Sequence, residues 1–284
     1  MCTRRWRRCR GALVLRARQG RIPAGIRSAR RFFVDGVFAP GNGVEIGGSD
    51  ARKIARVLRL RDGDVIEIVD SAAHAFIAAI ALDGDLVRAT ILEPAAVYAN
   101  GGTDESMQFD VAQALPKGAK MDFVVEKTTE LGVGAILPFT SERTVAAAGG
   151  DAKLARWRRL AKTAAQQCGR RRVPQIHPTM TFEALLRQFA RYDRVLFPWE
   201  LAERAMLRER LPQILHAAKR ALIVIGPEGG FSHREAEAAR AAGAELVWLG
   251  PRILRTETAA LALLAIAEAL MQGRNSPQAR RTGA

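Results

Sequence analysis

With 284 residues, 48% of them hydrophobic, the chain has enough apolar content for one large domain or two modest ones. The formal charge of +15 is unevenly spread: residues 1–29 hold nine arginines and no acid, which leaves 15 − 9 = +6 for the body. That balance suits a polyanionic partner, most economically nucleic acid, and equally suits plain solubility. Three cysteines (Cys2, Cys9, Cys168) without CxxC spacing and four scattered histidines (His74, His177, His216, His233) without HExxH argue against a disulfide framework and against a metal enzyme. The strongest apolar run, Ala259 to Met271, is too short for a membrane span and contains Glu268. The body therefore reads as soluble and cytoplasmic.

Residues 1–29 lack the continuous apolar segment of a secretory signal. An organellar transit peptide, a disordered basic arm and upstream sequence from a misplaced start codon all fit that composition, and the segment is expected to be poorly ordered. From Arg31 to Glu93 the apolar runs are short and strand-like: Arg31–Val34, Val44–Ile46, Asp64–Val69, Ala75–Ala81 and Leu86–Leu92. Turn signals divide them at Pro40-Gly41-Asn42-Gly43, Arg61-Asp62-Gly63-Asp64 and Asp83-Gly84-Asp85. One helix, Ala51–Leu58, is expected with Ser49-Asp50 as its cap. Several short strands with one helix predict a small β-barrel over residues 30–93, followed by a linker over 94–106.

Beyond residue 107 the pattern changes to alternation of strand and helix. Strands are expected at Phe109–Leu115, Ala135–Phe139, Val195–Phe197, Ala221–Ile225 and Glu245–Leu249. Helices are expected at Lys120–Leu131, Asp151–Cys168 and Thr256–Met271. Such alternation predicts a mostly parallel sheet covered on both faces, in an α/β domain over 107–273 with a flexible tail at 274–284.

Two turns carry the chemistry. In Gly226-Pro227-Glu228-Gly229-Gly230-Phe231-Ser232 a buried strand ends at Gly-Pro, two glycines permit positive φ or close approach of a ligand, and Ser232-His233-Arg234-Glu235 fits a capping box. The serine and glutamate need no ligand to explain them; the adjacent glycines favour one. In Leu249-Gly250-Pro251-Arg252-Ile253-Leu254-Arg255-Thr256-Glu257-Thr258-Ala259 an arginine opens an apolar helix, against the preference set by the helix dipole. Arg255 is therefore a candidate for function, with an ion pair to Glu257 or Glu228 as its structural alternative. Without GxGxxG or a Walker lysine, phosphate-loop chemistry is disfavoured. A ligand would be held by strand-end loops, as at the carboxyl edge of open α/β sheets.

These two motifs closely resemble those of the RsmE family, bacterial methyltransferases that make N3-methyluridine in 16S ribosomal RNA. The resemblance extends to Arg31-Phe32-Phe33-Val34, Val57-Leu58-Arg59-Leu60 with Gly63-Asp64, Leu115-Pro116-Lys117, Glu126-Lys127 with Thr129-Glu130-Leu131-Gly132, Ser141-Glu142-Arg143 and Gln167-Cys168-Gly169-Arg170, and so spans about residues 30–272. It implies an α/β SPOUT domain with a C-terminal trefoil knot, preceded by a small PUA-like β-barrel domain. It implies S-adenosyl-L-methionine as cofactor, contacted by Phe197, Pro198, Trp199 and Glu200, by Gly226, Pro227, Glu228, Gly229 and Gly230, and by Leu249, Gly250, Ile253, Leu254, Arg255, Thr256, Thr258 and Ala259. It further implies a homodimer acting on 16S rRNA of the small ribosomal subunit, with no metal and no membrane. The chain departs from the family pattern at Arg52 and Lys53, where a histidine is expected nearby, and at Gln166, where glutamate is common.

Methylation at N3 requires loss of the N3 proton, so the catalytic candidates are Arg255, to stabilise negative charge on the base, and Glu257 or Glu228, to orient that arginine or accept the proton. Candidates for gripping RNA are Arg30, Arg31, Arg52, Lys53, Arg56, Arg59, Lys117, Arg143, Arg170 and Arg172, with Arg171 beside them. A non-catalytic dimeric RNA-binding module and a methyltransferase acting on another RNA base are the competing readings.

Overall fold

The computed structural model describes residues 31–95, 107–146 and 150–274. The basic extension, Arg30, most of the linker and all but the first residue of the expected tail lie outside the described residues. The chain forms two compact units, one containing residues 31–95 together with 165–172, the other containing 107–164 and 173–274.

The first unit is built from β1 (Arg31–Phe33), β2 (Gly43–Ile46), α1 (Gly48–Arg52), β3 (Val65–Val69), β4 (Ala75–Asp83) and β5 (Leu86–Pro94). The strands form one sheet in the order β1-β3-β4-β5-β2. Its β1–β3 pair is parallel and the others are antiparallel. Alternate residues point inward, so Phe32, Val44, Ile46, Ile66, Ile68, Ile80, Val87 and Ile91 form one core with Ile54 and Leu60. Of the turn signals, Asp83-Gly84-Asp85 marks the β4–β5 hairpin, whereas the other two fall in the connections that lead into β2 and β3; the β3–β4 hairpin turns at residues 70–74, where none was read. The expected cap of α1 does not form: the helix begins earlier, at Gly48, with Gly47 in extended conformation at the N-cap and no side-chain cap bond. Ser49 and Asp50 thus fall inside the first turn. There the Asp50 carboxylate accepts from Gln166 Nε2 at 3.4 Å. After Arg52 the helix widens into a π-type turn, Lys53–Val57.

The second unit runs β6 (Gln108–Ala114), α2 (Lys120–Glu130), β7 (Ala135–Thr140), α3 (Asp151–Cys168), β8 (Gln175–Ile176), β9 (Met180–Thr181), α4 (Phe182–Leu186), β10 (Arg194–Pro198), α5 (Leu207–Ile214), β11 (Arg220–Ile225), α6 (His233–Ala241), β12 (Glu245–Val247) and α7 (Thr256–Arg274). The last four residues of α3 are counted with the first unit. The sheet order is β12-β10-β11-β6-β7-β8, with β9 also paired to β7, and every recorded pair is parallel. Two apolar layers cover it. One joins α2, α3, α5 and α7 to the sheet through residues such as Val124, Trp157, Leu211 and Leu263. The other packs Phe182, Leu185, Ala236 and Ala239 against Phe139, Phe197 and Leu222. Strands enclosed on both faces must be apolar throughout, which is why they read as continuous runs.

Polar groups enter this sheet chiefly at its two edges. At the amino edge, Asp110, 1% exposed, accepts from Gln108 Nε2 at 3.0 Å, the Tyr192 hydroxyl at 2.9 Å and Arg220 Nη2 at 3.0 Å. Each bond compensates the desolvation of a carboxylate that could not otherwise stay buried. Burial first, then the negative charge of Asp110, pushes the Tyr192 hydroxyl above its ordinary range. Because the folded state disfavours the phenolate, the stability this group contributes is complete below the unfolded value of about 10 and is lost as pH rises through the folded value. In a Tyr98→Phe chain, where Tyr192 is the remaining tyrosine, spectrophotometric titration is expected to show phenolate only well above pH 10. Adding Asp110→Asn is expected to bring it down. A Tyr192 that ionises at the ordinary value would refute this network.

Candidate functional site

Parallel pairing brings the carboxyl ends of β6, β7, β10, β11 and β12 to one edge; the cofactor candidates read from the sequence lie at the end of β10, in the loops after β10, β11 and β12, and in the first turn of α7. After β6 the chain leaves toward β7; after β11 it leaves in the opposite sense, past β10 to β12. The crevice between β6 and β11 is thus a topological switch point, where open α/β sheets bind ligands.

The Gly226–Ser232 turn has a reason for almost every residue. Phe231 is its anchor, 3% exposed, with its ring 4.1 Å from Phe197 and stacked on Phe139 at 6.4 Å. A Cβ on Gly226 would lie 3.0 Å from the Phe231 ring. The Gly230 amide donates to Pro227 O at 3.0 Å, closing the turn. Gly230 itself sits at φ +66°, and a Cβ there would meet the Glu200 carboxylate at 3.3 Å. A Cβ on Gly229 would meet the Arg143 side chain at 3.3 Å. The two glycines are therefore demanded by backbone conformation and by neighbouring protein atoms, and the close approach expected of a ligand is made by the chain itself. The capping box forms as expected: Ser232 Oγ accepts from the Glu235 amide at 3.3 Å, and Glu235 Oε2 accepts from the Ser232 amide at 2.9 Å.

That turn is also tied to the loop after β7. Arg143 Nη1 donates to Gly229 O at 2.9 Å, Ser232 Oγ donates to Glu142 Oε2 at 2.9 Å, and the Glu142 amide donates to Glu235 Oε1 at 2.9 Å. The Ser232 hydroxyl, followed by Arg234, holds the Glu142 carboxyl below its ordinary range. Arg143, expected to grip RNA, instead has its guanidinium on a loop carbonyl.

Glu228 is the residue of the turn that reaches across the crevice. Its Oε1 accepts from the Lys117 amide at 3.0 Å and from Lys120 Nζ at 2.8 Å. Burial alone would raise its carboxyl, but the hydrogen bonds from Lys120, its own backbone and Lys117 outweigh that and leave it below the usual value. Lys120 Nζ also lies 3.8 Å from Glu257 Oε2. Neither acid pairs with Arg255: its guanidinium is exposed and has no hydrogen bond or ion pair among the described residues, while its carbonyl accepts the first helical bond of α7, from the Ala259 amide at 2.8 Å. The ion pair considered from sequence is made by a lysine that sequence reading passed over. A periodic helix start such as Lys120 carries no signal of its own, because its partners come from β11 and α7.

Beneath the crevice, Gln113 and Thr256 form a buried relay. Gln113 Nε2 donates to Ala114 O at 3.0 Å and to Thr256 Oγ1 at 2.8 Å, and Thr256 Oγ1 donates to Gly226 O at 2.6 Å. This welds the start of α7 to the ends of β6 and β11. Gln113 Oε1, Trp199 Nε1 and Glu257 Oε2 are buried without a hydrogen-bond partner among the described residues, which leaves one donor and two acceptors at this edge for a bound group. Gly250 (φ +115°) has open space where a Cβ would stand, and Ile253 is 96% exposed.

In the first unit, the basic candidates divide. Arg52, Arg56 and Arg59 are exposed. Arg31 is not available to RNA: its side chain is 10% exposed and its Nη2 donates to both oxygens of Glu67, at 2.7 and 2.9 Å. Lys53 donates to Gln166 Oε1 at 3.2 Å and lies over the Phe32 ring. The departures at Lys53 and Gln166 are thus in contact with one another. Arg30 lies outside the described residues.

A doubly covered parallel sheet with its polar loops gathered at a switch point defines a ligand-binding α/β domain of the enzyme kind. Residues 103–268 match the family model of the RNA methyltransferase domain. Over 225 residues the chain is 32% identical to ribosomal RNA small subunit methyltransferase E of Bacillus subtilis, covering 76% of this chain and 86% of that one. The solved structure of ribosomal RNA small subunit methyltransferase E from Neisseria gonorrhoeae, bound to S-adenosyl methionine, is 31% identical with a TM-score of 0.75, covering 85% of this chain and 97% of that one. A putative methyltransferase from Legionella pneumophila in complex with SAM is 28% identical, also at TM-score 0.75, over 86% of this chain and 98% of that one. The chain belongs to the RNA methyltransferase family and, within it, to the ribosomal RNA small subunit methyltransferase E group.

The relay yields a direct test. Thr256→Val removes the donor to Gly226 O and an acceptor of Gln113 Nε2, leaving polar groups buried without partners. It is expected to lower stability by about 1–3 kcal/mol, read from the urea midpoint, and to weaken S-adenosyl-L-methionine binding in calorimetry.

Proposed function

We propose that this chain is an S-adenosyl-L-methionine-dependent methyltransferase that methylates N3 of a specific uridine in 16S ribosomal RNA. The observation that carries the reading is the crevice at the β6–β11 switch point, where an acid pair shared by one lysine lies among buried unpaired polar atoms in a chain of this family. The residues fit the cofactor. Gln113 Oε1 and Trp199 Nε1 offer one acceptor and one donor, and Leu249, Ile253 and Leu254 supply apolar contact. The loops Phe197–Glu200, Gly226–Gly230 and Leu249–Ala259 would hold it. When bound, its sulfonium supplies an already activated methyl group.

What remains for the protein is orientation and charge. Uracil N3 becomes a nucleophile as its proton leaves, and negative charge spreads onto the flanking carbonyl oxygens. Arg255, exposed beside the crevice with its guanidinium unengaged, stabilises that charge. Glu228 and Glu257 orient the segments on either side of Arg255. Glu228, held below its ordinary value and already accepting two hydrogen bonds, is a poor proton acceptor.

The same reading takes the first unit as a PUA-like RNA-binding domain over residues 30–93, joined by a linker at 94–106 to a SPOUT domain over 107–273. Its mixed five-stranded sheet and the exposed Arg52, Arg56 and Arg59 support that. The C-terminal knot is supported by the path of the chain, which passes β10 to form β12 and then returns as α7 against β11 and β6. A homodimer is supported by Phe123 and Ile266, 45% and 40% exposed on α2 and α7, helices that pack against one another. Arg170 and Arg172 of the first unit and Lys117 of the second are likewise proposed to meet RNA.

Mass spectrometry of 16S RNA from a deletion strain is expected to show loss of one N3-methyluridine, restored by the wild-type gene. Arg255→Ala is expected to bind S-adenosyl-L-methionine with near wild-type affinity while kcat falls about 10²-fold, the scale for losing one donor to a developing anion. Full activity in that variant would remove Arg255 from the mechanism.

A further inference from the structure

Lys120 opens α2 at the mouth of the crevice and is the one described cation in contact with both acids of the site. Its Nζ is 2.8 Å from Glu228 Oε1 on the loop after β11 and 3.8 Å from Glu257 Oε2 in the first turn of α7. Three segments distant in sequence thus meet at one ammonium group. Glu257 Oε2 is buried and accepts no hydrogen bond among the described residues. Its nearby cation is what compensates its burial there, since an uncompensated carboxylate in that place would be strongly disfavoured. Arg255 lies two residues before Glu257 in the chain, on the segment that Thr256 ties to Gly226 O.

We propose that Lys120 is a positioning residue for methyl transfer, clamping Glu228 and Glu257 so that the 226–230 loop and the first turn of α7 hold Arg255 in one orientation toward the base. The proposal rests on the methyltransferase reading and deepens it. Both acids are then engaged by the clamp, and the N3 proton leaves to solvent water. The clamp works only while the carboxylates are ionised, so it adds an acid limb to the pH dependence of kcat. The Lys120 ammonium favours the charged form of Glu228 and so sets that limb low; without it Glu228 protonates at higher pH.

The test uses the full-length chain with small ribosomal subunits as substrate and compares wild type, Lys120→Met and Lys120→Arg. Lys120→Met is expected to lower kcat about 10²-fold, the scale of an ångström's misplacement of a reacting group, and to move the acid limb to higher pH. Lys120→Arg, which keeps the charge and can still donate, is expected to recover most of kcat and the wild-type limb. Wild-type kcat and pH profile in Lys120→Met would overturn the clamp, as would a Lys120→Arg chain that is folded by circular dichroism yet as impaired as Lys120→Met. If Lys120→Met fails to fold, Glu228→Gln tests the same contact. Its kcat is expected to fall with a flattened acid limb, and an unchanged profile would overturn the proposal. A wild-type chain that transfers no methyl group would instead refute the methyltransferase reading itself, independently of any variant.

Discussion

Parallel pairing of β6 with β11 is the constraint on which the rest of the second unit depends. Six residue pairs from Arg220↔Gln108 to Ile225↔Gln113 set the register, and a parallel register puts both carboxyl ends at one edge. Strands covered by helices on both faces have no room for unpaired polar groups. Polar chemistry is consequently pushed to the two edges of the sheet, and the two edges do different work.

At the amino edge, Asp110, Tyr192, Arg220 and Gln108 satisfy one another. That network is closed apart from one buried guanidinium nitrogen, Arg220 Nε, and what it contributes is stability. At the carboxyl edge the bonds are arranged to fasten loops while leaving acceptors and donors over. Phe231 sinks the Gly226–Ser232 turn into the aromatic layer, Arg143 and Glu142 tie it to the loop after β7, and Thr256 ties it to α7. Preorganisation of this kind keeps an oriented charge in place without reorganisation during reaction. The Arg255 guanidinium has no hydrogen bond or ion pair among the described residues of this heavily bonded edge, which is why it is proposed to act on the base.

Much of this was legible beforehand. The strand runs, the helices at Lys120 and Asp151, and the Ser232–Glu235 capping box all depend on local sequence, since propensity, periodicity and a three-residue reach decide them. The failures share a different cause. The α1 cap was misplaced because Gly47 in extended conformation can start a helix without a side chain, so Ser49 and Asp50 fall two and three residues past the N-cap. Arg31 looked like a surface cation, yet Glu67 on the neighbouring strand β3 encloses it. Lys120 offered no signal at all.

By itself, the sequence determined the elements, the alternation that calls for a parallel sheet, and the two loops that bear the family's motifs, because each of these is written within a few consecutive residues. Only the tertiary structure decided how those loops are used: which cation meets which acid, which glycine answers to which neighbour, and which arginine is left unpaired. Those outcomes depend on long-range pairings across the sheet edge, where side chains far apart in the chain compete for the same few partners, and a charge is free or spent according to who reaches it.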